Sequence, residues 1–179
     1  MTLLNVIAIG IMLAVAYAHA REGFYSAATI LFASLIAGLV AFGFYEPLVE
    51  TIGDLGGFED AICLTGLFCV TLGILRYASI SLVPHEVQTH PHLHQLGGGA
   101  LGLVTGYLAA GFLLCVWQTL PWHPNFMGFE PGSARRAMPP DQNWLRLVRQ
   151  ANRGLAGSDA RAFTEQFEAH YAKWRTQFE

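Results

Sequence analysis

Charged side chains are scarce in this chain. Only 13% of its 179 residues are Asp, Glu, Lys or Arg, whereas a soluble domain usually contains ~25%. Lys173 is the only lysine, and residues 1–84 contain just two basic side chains, Arg21 and Arg76. A formal net charge of −3 without any basic cluster argues against a nucleic-acid partner.

The sequence also lacks the motifs that usually reveal an enzyme. It has no nucleophile elbow, P-loop, H-E-x-x-H, dinucleotide fingerprint or paired catalytic acids. We therefore expect a protein without enzymatic activity. Its three cysteines, Cys63, Cys69 and Cys115, all lie in apolar stretches, where they are expected to be small apolar fillers rather than disulfide partners.

Long apolar runs dominate the first two-thirds of the chain. They cover approximately residues 2–20, 24–44, 61–83 and 97–118. At ~1.5 Å of rise per residue, a helix of such length matches a hydrocarbon core ~30 Å thick. The sequence therefore predicts an all-α, polytopic membrane protein with a four-helix transmembrane domain over residues 1–120.

The rest of the chain is polar enough to predict a short soluble helical tail. Residues 121–140 are rich in Pro and Gly and are typical of a linker. Residues 141–179 contain two amphipathic patterns, of which the second has an aromatic stripe. The stripe comprises Phe163, Phe167, Tyr171 and Trp174. So small a tail cannot bury these rings by itself, so we expect them to dock onto a partner, the membrane surface or the first tail helix.

Small residues recur at helical spacing in two of the apolar runs. The second run has Ala33, Ala37 and Ala41 on one face. The fourth has Gly98, Gly102 and Gly106, which form two overlapping G-x-x-x-G steps. Such faces allow helix backbones to approach closely in lipid. They predict tight packing within the chain or, for the glycine face, against a second copy of it.

Arg76 is the one charge well inside a predicted membrane helix. It follows the start of the third run by about 16 residues, or ~24 Å along a helix, which places it near the same end as Glu22. An ion pair with Glu22 would offset the cost of burying the charge. Snorkelling to the interface and a role in ion or proton passage are the alternatives.

A histidine-rich segment, PHEVQTHPHLH, connects the third and fourth runs. His90, His92 and His94 alternate, so an extended chain would present all three on one side. Imidazoles so placed can bind Zn²⁺ or Cu²⁺. The alternative is a solvated polar loop without any metal. We expect no other cofactor.

The distribution of charge predicts an orientation in the bilayer. Four spans place both termini on one side, together with the segment 46–60, whose only charges are acidic. Arg21 and Arg76 lie towards the other side. The positive-inside rule therefore predicts a cytoplasmic arginine end and an extracytoplasmic tail.

The order of these features resembles the colicin V production protein family of small bacterial inner-membrane proteins. The turn Arg21-Glu22-Gly23-Phe24 is similar to the family's first turn, R-G-x-x-R-E, although Glu22 intervenes and the second basic residue is missing. The glycines at 98, 102 and 106 match its fourth-helix pattern, L-G-x-x-x-G-x-x-x-G. His94-Gln95 replaces the Asp-Arg that often precedes this pattern.

This resemblance covers residues 1–120 and implies an inner-membrane protein concerned with toxin production or export and envelope integrity. It implies no reaction and no catalytic residues. We therefore expect an accessory or scaffold protein whose partners are lipid, other envelope proteins or a second copy. The alternatives are an accessory subunit of an energy-transducing or transport complex, and a metal-handling protein that uses the histidine loop.

Overall fold

The computed structural model describes residues 3–53, 56–82, 91–120 and 140–155. Over these ranges the chain is helical and contains no strand. The helices are α1 (Leu3–Glu22), α2 (Phe24–Ile52), α3 (Glu59–Leu82), α4 (Pro91–Thr119) and α5 (Pro140–Leu155). The predicted all-helical class is confirmed for the part of the chain that the structure describes.

Three of these helices have segments long and apolar enough to cross a membrane. The segments are Phe24–Ile52 in α2, Glu59–Ser81 in α3 and Gln95–Trp117 in α4. This agrees with a polytopic membrane protein. The first apolar run forms the 20-residue helix α1, which is not among the three.

Two helices extend beyond their predicted apolar runs. Helix α2 continues through Pro47 to Ile52 and ends at Gly53, whose positive φ of 83° suits glycine. Helix α4 begins at Pro91, six residues before the predicted start, because proline is well suited to a first helical position. The polar residues at the C-terminal end of α2 and at the N-terminal end of α4 are therefore helical, although they lie outside the predicted apolar runs.

The helices form an up-and-down arrangement in which α2 and α4 each contact all four of the others. Helices α1 and α4 pack antiparallel along much of their length, and α3 packs against α2 with a smaller contact to α4. The N-terminal ends of α2 and α4 meet at Phe24 and Gly97. The bundle therefore has one end at which α2 and α4 both begin and an opposite end at which both finish.

The glycines of α4 bring its backbone against that of α1. A Cβ atom on Gly98 would lie 2.6 Å from the carbonyl oxygen of His19. On Gly102 it would lie 2.8 Å from Ala16 Cα, and on Gly106 2.8 Å from Met12 Cα. These are backbone atoms, which cannot swing aside as a flexible side chain would. The glycine face is occupied by α1 of the same chain.

Because of these contacts, we expect Gly102→Ala to destabilise the bundle by about 1–3 kcal/mol, the usual cost of overpacking. Gly73→Ala is the matched control, since no atom lies within 4 Å of a Cβ at that position of α3. Alanine there gains helix propensity and should be neutral or slightly stabilising. Unfolding midpoints in mild detergent measure both effects, and equal midpoints for the two variants would contradict the interface described above.

Candidate functional site

Helix α5 carries the largest fully buried side chain among the described residues, Trp144. The indole is 1% exposed, and Val148, one turn later on the same face, is also 1% exposed. The helix is strongly amphipathic, with its apolar side turned towards α2 and α4. The first helix of the predicted soluble tail thus packs against α2 and α4. Both belong to the three helices that are long and apolar enough to cross a membrane, which we call the membrane-type helices.

Trp144 enters a slot that exists because α2 has no side chain at Gly38. A Cβ atom at that position would overlap the indole ring, with Cζ3 of Trp144 only 2.8 Å away. The neighbouring Ala37 and Ala41 are fully buried and present only methyl groups. The small-residue face of α2 thereby accommodates a large aromatic ring.

Hydrogen bonds to α4 fix the position of α5 further. The indole N–H of Trp144 donates to the carbonyl oxygen of Leu108. Asn143 Nδ2 donates to the hydroxyl of Tyr107 over 2.6 Å. A buried indole N–H needs such a partner, because an unsatisfied donor costs about 1–3 kcal/mol.

Aromatic rings from three helices close the slot around Trp144. Its ring centroid lies 6.1 Å from that of Phe42 and 6.4 Å from that of Phe112. Phe42 and Phe112 meet edge-to-face at 5.7 Å, and Phe68 of α3 stacks on Phe112 at 4.1 Å. We call Gly38, Phe42, Tyr107, Leu108 and Phe112 the α5 seat.

The α5 seat lies near the middle of the membrane-type segments. Gly38 is 14 residues from either end of Phe24–Ile52, and Leu108 is nine residues before the end of Gln95–Trp117. Nine residues correspond to ~14 Å, close to half of a ~30 Å hydrocarbon core. If α2 and α4 cross a bilayer, Trp144 reaches its mid-depth.

An ion pair connects α1 and α3 at the end of the bundle where α2 begins. Arg76 Nη2 lies 3.6 Å from Glu22 Oε1, and Ser26 donates a 2.8 Å hydrogen bond to the other carboxylate oxygen. The side chains of Arg76 and Glu22 are 44% and 41% exposed. At that exposure the pair contributes little to stability.

His19 is the buried imidazole of the α1–α4 interface. Its Nδ1 lies 2.8 Å from the carbonyl oxygen of Val15, within the same helix. Its Nε2 is buried and makes no hydrogen bond within the part of the chain that the structure describes. The sequence does not predict that this atom is buried, because burial of His19 depends on α4 crossing next to it.

The other predicted site residues are distributed as follows. Ala33, like Ala37 and Ala41, is buried on α2. His92 and His94 lie in the first turn of α4, where the backbone is helical rather than extended, and metal binding at the histidines stays a prediction. The remaining predictions, His90 and the stripe Phe163, Phe167, Tyr171 and Trp174, lie outside the described residues.

A metal centre is not visible in the described ranges. They contain no group of three or more His, Cys, Asp or Glu side chains that could hold an ion. The α5 seat is likewise built from aromatic, aliphatic and backbone groups, with no acid or base positioned for proton transfer. Its arrangement suits attachment of α5.

Comparison with known proteins identifies one family. Residues 4–130 match the family model described as Colicin V production protein. This match covers more than half of the chain and extends beyond α4, but ends before α5. No curated protein and no solved structure matches the chain.

We expect Trp144→Ala to release α5 from its seat, because truncating a buried Trp costs about 3–5 kcal/mol. Gly38→Ala should have the same effect by filling the slot, so the double variant should lose little more than either single variant. Limited proteolysis within residues 140–155 measures the release. Arg146→Ala is the control, since this side chain is exposed on the same helix. Additive losses in the double variant would show that Trp144 and Gly38 act separately.

Proposed function

Because the chain belongs to the colicin V production protein family, we propose that it is a non-enzymatic inner-membrane protein with an accessory or scaffold role. The process it serves is envelope assembly, or toxin production and export. The family match and the three membrane-type helices support this proposal.

In this proposal α1 is the fourth span. Its 20 residues would extend ~30 Å, the thickness of a hydrocarbon core. It runs antiparallel to α4 from Met12, opposite Gly106, to the turn at Gly23, opposite Gly98. A helix packed backbone-to-backbone along a span shares the environment of that span, which supports its place in the bilayer.

The observation that carries an accessory role is the outward face of α3. This helix is held mainly by α2, and its other side is apolar and exposed, with Ile62, Val70 and Ile74 each more than half exposed. Gly66 and Gly73 are open on the same helix, with no atom within 4 Å of a Cβ. Close approach of a further transmembrane helix is favoured at such positions. We propose that α3 contacts a partner membrane protein there.

Co-purification tests the accessory role. The tagged chain, extracted from its native membrane in mild detergent, should retain a stoichiometric membrane partner that mass spectrometry identifies. Gly73→Leu should reduce recovery of the partner, because the side chain fills the open face of α3. Gly43→Leu is the matched control, since a Cβ at Gly43 of α2 also meets no atom within 4 Å.

Two results would contradict this proposal. One is recovery of the chain alone, as a homo-oligomer, which would favour a self-contained membrane function. The other is equal recovery of a partner with both leucine variants, which would remove α3 from the interface. Recovery of transport or energy-transducing subunits would instead specify the alternative accessory role.

We also propose that the end of the bundle with Glu22 and Arg76 is cytoplasmic. The opposite end carries the acidic side chains Glu46, Glu50 and Glu59, and the positive-inside rule orients basic residues inwards. A C-terminal fusion to alkaline phosphatase, which is active outside the cytoplasm, should therefore be active. A fusion of green fluorescent protein at the same position should be dark, and the reverse pattern would overturn the orientation.

A further inference from the structure

The exposed side of α5 is polar at a depth where a membrane protein should meet hydrocarbon. Trp144 contacts α2 and α4 near the middle of their membrane-type segments. Arg146 follows Trp144 by two residues, or ~3 Å along the helix, and is exposed. Gln150, one turn beyond Arg146, is exposed as well. The Cα atom of Arg146 therefore lies near mid-depth whichever way α5 is tilted.

Lipid is a poor solvent for this face. An arginine at the centre of a bilayer costs about 2.5–3.5 kcal/mol on translocon scales and more in simulations. Arg146 makes no ion pair with a carboxylate among the residues whose side chains the structure describes. The charge needs either water or a polar protein surface beside it.

A second copy of the chain is an unsuitable neighbour for this surface. In a two-fold interface the same patch meets itself. The structure places the positive charge of Arg146 on the exposed side of α5. Two such helices face to face would bring like charges together in a medium of low dielectric constant, where repulsion is strong. Water is the neighbour that the charge distribution favours.

We infer that the polar face of α5 lines an aqueous vestibule that reaches the mid-depth of the bilayer from the side where α4 ends. The vestibule extends as deep as the α5 seat. It contains water and small inorganic anions, which the positive charge of Arg146 attracts. This goes beyond the proposed accessory role, and rests on it only in that α2 and α4 must cross the bilayer.

Thiol accessibility in the full-length chain tests the vestibule. Membrane vesicles of both orientations containing Arg146→Cys are treated with the impermeant anionic reagent 2-sulfonatoethyl methanethiosulfonate. Ile36→Cys is the matched control, because Ile36 is two residues from Gly38 and 47% exposed on α2. The parent, with Cys63, Cys69 and Cys115, gives the background. We expect Arg146→Cys to react from one side only and Ile36→Cys not to react.

The reaction pattern of the two variants shows whether the vestibule fails by itself or together with the membrane assignment. If neither variant reacts in the membrane but both react after denaturation, protein or lipid covers α5, and the vestibule is overturned while the spans stand. If both react, α2 does not face lipid, and both ideas are overturned. If Arg146→Cys does not fold, Gln150→Cys provides the same test.

The charge of the vestibule is tested with Gln150→Cys, which retains Arg146. The anionic reagent should react about tenfold faster than the cationic 2-(trimethylammonium)ethyl methanethiosulfonate, after correction for their rates with a free thiol. Adding Arg146→Gln should abolish that preference. Equal corrected rates in the presence of Arg146 would overturn the assignment of anions as the ligand class.

Discussion

Close backbone contact between α1 and α4 is the constraint on which the bundle depends. Lipid supplies no hydrophobic force between helices, so packing must come from dispersion and polar contacts at short range. The α4 glycines provide that range, since Gly98, Gly102 and Gly106 leave no room for a Cβ. Once α1 occupies this face, α4 must meet α2 and α5 with its other sides. The arrangement of the other helices around α4 therefore follows from the occupation of its glycine face by α1.

A second contact also depends on a glycine, because Trp144 inserts at Gly38. There a missing side chain on α2 accommodates a large ring rather than another backbone. Burial, ring contacts and the hydrogen bond to Leu108 all act on the one indole. The amphipathic helix α5 thereby becomes part of the bundle, which is the premise for both the seat and the vestibule.

How much of this could be predicted from the sequence depends on how local each feature is. Hydropathy and length are local, so the runs that became α2, α3 and α4 were recognisable, and the glycine spacing on α4 indicated a close contact. The sequence did not show which helix packs against each small-residue face. Such contacts join distant parts of the chain, as with Gly38 and Trp144, which are 106 residues apart. Neither the burial of His19 nor the early start of α4 at Pro91 follows from apolar periodicity, since both concern polar residues.

The pairing of α1 with α4 has a consequence for how the protein is made. Ala16 and Gly102 are separated by 86 residues, which a ribosome adds in about 4–17 s at 5–20 residues per second. During this interval α1 has only its small contact with α2, while the side that α4 will cover stays exposed. The packing of α1 is therefore completed only when the last long helix has been made, and a nascent chain stalled before residue 98 lacks the surface that completes it.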